Sequence, residues 1–113
     1  MSAESAEGQQ RRRWVPLDFR KATVAPGPKR GSFVLTVSGD KPRDAENGSP
    51  VKLQPMVYET QPEYWRIEVL WDEDEAIVPV ITPFSVSISL DGVCGTRGIR
   101  VAGQTRFQKI DIE

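Results

Sequence analysis

Phe84, Val86, Ile88 and Leu90 recur at every second position with serines between them, so an extended backbone puts four apolar side chains on one side and hydroxyls on the other. That is the pattern of a strand with one buried face. The same period runs through Phe33, Leu35 and Val37, through Val51, Leu53 and Val57, and through Trp65, Ile67, Val69 and Trp71. Trp14 opens a further candidate in which Val15, Leu17 and Phe19 alternate with Pro16, Asp18 and Arg20, and Pro16 suits an edge position there. Glycine- and proline-rich stretches separate these runs: PGPKRG at 26–31, GDKPRDAENGSP at 39–50 and DGVCGTRG at 91–98.

Only TQPEYWRIEVLWDEDEA offers a helical alternative, since Thr60 and Glu63 have capping-box spacing and Pro62 falls early enough for a first turn. Two physical points favour a strand. On a helix its apolar residues would scatter around the wheel, and the four carboxylates of Asp72 to Glu75 would lie at the negative end of the dipole. As a strand it is rich in aromatic and β-branched residues on both faces, which suits the centre of a sheet. In AIVPVITPF, Pro79 and Pro83 indicate an extended connector or a short edge strand. In TRFQKIDIE, Phe107 and the pair Ile110/Ile112 fall out of phase by one residue, as a bulge would produce.

These elements imply an all-β fold: a single-domain antiparallel β-sandwich of about seven strands over residues 14–113, immunoglobulin-like in the loose sense, preceded by a flexible polar and basic arm at 1–13. The Cys…Trp…Cys signature of antibody domains is absent. A chain of 113 residues holds one such core without staples. The single cysteine cannot close a bridge within it, and the amino-terminal stretch lacks a secretory apolar run, which points to the cytoplasm. No apolar stretch is long enough for a membrane-spanning helix.

The sequence contains no histidine, which removes Ser-His-Asp and Cys-His catalysis, His-based zinc sites and the usual general base near neutral pH. It also lacks the glycine-rich nucleotide loops. No cofactor, metal or catalytic residue is expected. Cys94, with Arg97 and Arg100 close in sequence, is the one candidate for an activated thiol, but no base accompanies it. The Asp72–Glu75 tetrad lacks the spacing that wraps a chain around calcium and suits a solvated turn.

Charge is uneven along the chain. Met1 to Met56 holds ten Lys/Arg against six Asp/Glu, and Val57 to Glu113 holds five against ten. RRRWVPLDFRK mixes cations with aromatic residues, a composition found where nucleic acids are bound. The candidate contact residues are therefore Arg11, Arg12, Arg13, Trp14, Lys29, Arg30 and Arg97. The leading expectation is a non-catalytic protein-interaction or accessory module that uses an edge strand or the loops at 39–50 and 91–98, with self-association as a homodimer also open. The alternative is nucleic-acid or other polyanion binding through the basic arm.

Overall fold

The computed structural model describes residues 14–43, 51–72 and 78–112, and within them every regular element is a strand. There are eight: β1 (Trp14–Pro16), β2 (Lys21–Pro26), β3 (Phe33–Arg43), β4 (Val51–Pro55), β5 (Tyr64–Asp72), β6 (Val78–Ser89), β7 (Gly98–Ala102) and β8 (Phe107–Asp111). They form a five-stranded sheet, sheet A (β1, β4, β5, β7, β8), and a three-stranded sheet, sheet B, in the order β2-β3-β6. No helix among the described residues is long and apolar enough to cross a membrane.

Pairing partners dictate how sheet A is built. β4 bonds Trp71 through Ile67 of β5, β1 bonds Asp72 through Leu70, and β7 bonds Tyr64 through Glu68. A strand has two edges, and β4 shares β5 residues with each of the others, so β4 takes one edge while β7 and β1 divide the second. β5 is thus central, as its composition predicts. The β5–β7 pair is parallel, unlike every other pair, because β6 between them crosses into sheet B and serves as the crossover a parallel pair requires.

Both sheets feed one core. β5 turns Ile67, Val69 and Trp71 inward, β7 adds Ile99 and Val101, β3 adds Leu35 and Val37, and β4 adds Leu53. Phe84, Val86 and Ile88 of β6 pack against this cluster while Ser85, Ser87 and Ser89 face outward, and Leu90 closes it just beyond the strand. On the outer side the Ser87 and Thr36 hydroxyls lie 2.8 Å apart.

Several expectations are corrected. The strands number eight because the run from Trp14 to Arg20 is not one strand: β1 ends at Pro16 and pairs in sheet A, whereas β2 begins at Lys21 and pairs with β3 in sheet B. The residues between, including buried Leu17 and Phe19, carry the chain from sheet to sheet. The expected loop at 39–50 begins as strand, since β3 continues to Arg43 opposite β6, and residues 44–50 lie outside the described ones. The segment with Pro79 and Pro83, expected as a separate connector or short edge strand, merges from Val78 onward with FSVSISL into one strand of 12 residues. Val57 is not in the core but 91% exposed, because β4 ends at Pro55. No bulge interrupts β8: its register with β7 is continuous, so Phe107 simply faces outward while Ile110 faces in.

Asp18, in the passage between sheets, fastens the β7–β8 turn. Its carboxylate accepts hydrogen bonds from Thr105 N (2.7 Å), Thr105 Oγ1 (2.7 Å) and Arg106 N (3.0 Å). A Cβ on Gly103 would lie 2.7 Å from Asp18 Oδ1, so the carboxylate approaches only because that residue is glycine. Burial by itself would raise the Asp18 pKa, but the hydrogen bonds outweigh it and hold the carboxyl below its ordinary value.

Two stability outcomes follow. Truncating fully buried Ile67 to alanine is expected to cost about 3 kcal/mol in denaturant unfolding, as a cavity opens where β5 meets the core. Asp18→Ala is expected to cost about 1–2 kcal/mol at pH 7, the value for partly solvated hydrogen bonds to a charged group. Because the folded pKa is depressed, that contribution is present above 3.8 and disappears as pH falls through the lowered folded value, so wild type and variant should converge in acid.

Candidate functional site

The pleat that points the core residues inward points a second set outward from sheet A. On β5 these are Tyr64, Arg66 and Glu68, on β7 Arg100, and on β8 Phe107, Lys109 and Asp111. Register aligns them in three rows across β5, β7 and β8: Tyr64–Gly98–Asp111, Arg66–Arg100–Lys109, and Glu68–Ala102–Phe107. The middle row is entirely cationic.

The cations rest on aromatic rings. Lys109 Nζ lies 4.7 Å and the Arg97 guanidinium 5.8 Å from the centre of the Tyr64 ring. The Arg100 and Arg66 guanidinium carbons lie 5.0 Å and 5.8 Å from the centre of the Phe107 ring, which is 48% exposed. Further along the same face Lys52 Nζ lies 4.1 Å from the centre of a Trp14 ring. Tyr64 reaches from β5 across β7 to donate its hydroxyl to Asp111 Oδ1 at 2.6 Å, a span that Gly98 leaves clear of any side chain. That hydrogen bond raises the Tyr64 pKa above its ordinary value.

Three carboxylates on or beside this face, Glu68, Glu63 and Asp111, are engaged. Glu68 Oε2 lies 3.4 Å from Arg66 Nη2, Glu63 Oε2 accepts from Arg97 Nη1 at 3.3 Å, and Asp111 holds Tyr64. The Glu63 contact raises the Arg97 pKa further. Arg100 and Lys109 have no carboxylate within ion-pair distance among the described residues. Among the residues whose side chains are described, the face offers five cations, Lys52, Arg66, Arg97, Arg100 and Lys109, against three carboxylates already occupied. Such a surface is suited to holding anions, with planar guanidinium groups able to pair bidentately.

Of the residues expected from sequence, Arg97 belongs to this face and half-buried Trp14 lies at its β1 end. Lys29 and Arg30 are exposed in the β2–β3 turn of the other sheet, and nothing described connects them to it. Arg11, Arg12 and Arg13 lie outside the described residues, as does the acidic tetrad beyond Asp72 at the end of β5. Among the described residues no cluster of metal-ligating side chains forms. Sequence reasoning missed Tyr64, Arg66, Arg100, Phe107 and Lys109. The signal was the polar phase of YWRIEVLW, GIRVA and FQKID, which lines up once β8 is read straight through.

The loop at 91–98 is fastened rather than presented. Thr96 N and Arg97 N donate to the carbonyls of Pro62 and Glu63 at 2.9 Å each, and Gln61 Nε2 donates to the Cys94 carbonyl at 2.8 Å. Burial pushes the Cys94 thiol up from its ordinary value, opposite to the activation that neighbouring arginines would produce. The chain matches no protein-family model, and neither the curated proteins nor the solved structures yield a significant match.

Cys94 is accordingly expected to react with a thiol reagent near pH 7 more slowly in the folded protein than in urea, with the gap narrowing as pH rises. Faster labelling in the folded state would restore it as an activated group.

Proposed function

We propose that this protein is a non-catalytic binding module and that the outer face of sheet A is its contact surface for an anionic partner. The observation that carries this reading is the row Arg66–Arg100–Lys109, three like charges side by side in register. Directly opposed like charges destabilise a sheet. Cation–ring contacts at exposed sites return about 0.5–1 kcal/mol each and so offset part of that cost. Burial of the face against an anion turns the same arrangement into a gain.

A binding role rather than an enzymatic one is supported by the lack of histidine and by the raised thiol of Cys94. This reading places the contact surface on the sheet together with Arg97 at the end of the 91–98 loop, whose backbone is committed to internal hydrogen bonds. The same proposal takes the two sheets as a sandwich in the loose immunoglobulin-like sense. In its favour are a core drawn from both sheets and a chain that changes sheet between β1 and β2, β3 and β4, β5 and β6, and β6 and β7. The basic arm remains a second reading, supported by its three consecutive arginines.

Retention on immobilised heparin separates the two. The full chain is expected to bind at low salt and to elute as salt rises, since each neutralised anionic group releases counterions. Arg100→Glu combined with Lys109→Glu is expected to abolish retention, while deletion of residues 1–13 reduces it without abolishing it. Unchanged retention of the doubly reversed variant, with loss on arm deletion, would transfer the function to the arm.

A further inference from the structure

Resting on that reading, we propose that the anionic partner is a single-stranded nucleic acid, its backbone crossing β5, β7 and β8 along Arg66, Arg100 and Lys109 with a base stacked at Phe107. Cations alone would suit any polyanion, so the aromatic residues on the same face decide the class. Phe107 is a large apolar ring left 48% exposed, in the row next to the cations and flanked by the Arg66 and Arg100 guanidinium groups at 5.8 Å and 5.0 Å. Rows on one face are about 6.7 Å apart along the strands, so a phosphate on the cationic row leaves its base within reach of that ring. Guanidinium groups held near the ring add planar surfaces that both stack on bases and pair with phosphate oxygens.

Tyr64 does a different job. With its hydroxyl held by Asp111 and its ring beside Lys109 and Arg97, it positions cations and keeps the Asp111 carboxylate from facing the ligand as a free negative charge. Duplex nucleic acid fits less well. The cationic row crosses β7, which is flanked by β5 and β8, and a broad sheet face cannot enter a major groove that admits a helix or a two-stranded ribbon. An acidic polypeptide would use the cations but leave Phe107 without a planar partner.

Fluorescence anisotropy at about 50 mM salt tests this with three probes: labelled oligothymidylate of about ten nucleotides, a duplex of the same length, and polyglutamate of matched charge. The full chain should bind the single strand at least tenfold more tightly than either other probe. Phe107→Leu should weaken single-strand binding about tenfold and leave the others unchanged, Phe107→Tyr should restore it, and circular dichroism should show all variants folded. Arg100→Glu with Lys109→Glu should remove binding of every probe. If the three probes bind alike and Phe107→Leu changes none of them, the single-strand inference falls while the anion-binding face stands. If no probe binds, or the charge-reversed variant binds like wild type, both fall together.

Discussion

β5 has two edges and three partners, and the rest of the molecule is arranged around that fact. Along Leu70 and Trp71 it is bonded to β1 on one side and β4 on the other; along Ile67 and Glu68 it lies between β7 and β4. With both edges occupied, the chain leaving β5 has no place to fold back in the same sheet. It crosses to pair with β3 as β6, and on returning it pairs with β5 in parallel as β7. Ile67 and Val69, fully buried in the middle of this strand, are the points through which both sheets share a core.

The outer face is the other half of the same pleat. Once Ile67 and Val69 are committed inward, Arg66 and Glu68 must face out, and register then sets Arg100 and Lys109 beside Arg66. Among the described residues, rings rather than carboxylates accompany Arg100 and Lys109, so the charge remains available to a partner. Gly98 matters for the same reason: a Cβ there would lie 2.0 Å from the Ile110 carbonyl oxygen, and without one β8 packs closely enough for Tyr64 to reach Asp111.

Where local alternation and tertiary demand agreed, the sequence could be read directly. The strand from Tyr64 to Asp72, its central position, and the two faces of FSVSISL all follow from the spacing of apolar residues. Readings failed where a hydrophobic residue served some purpose other than the phase of its strand. Leu17 and Phe19 are buried in the passage between sheets, Val57 protrudes from a loop, and Phe107 sits on the polar face. The bulge expected in β8 assumed that Phe107 had to be inside. Removing that assumption exposes the aromatic and cationic face, so one misplaced ring hid most of the candidate site.

By itself the sequence determined the extended backbone, the inward and outward phase of most strands, and the absence of histidine chemistry, because each depends only on residue types and spacing of two. Which strands lie side by side was decided by the tertiary structure, since bonding between β5, β7 and β8 joins residues far apart in the chain. Charge shows the difference. Linear counting marks the half from Val57 onward as acidic, with five cations against ten carboxyl groups. Folding nevertheless collects Arg66, Arg97, Arg100 and Lys109 from that half onto one sheet face, because register, not proximity along the chain, determines which charges stand together.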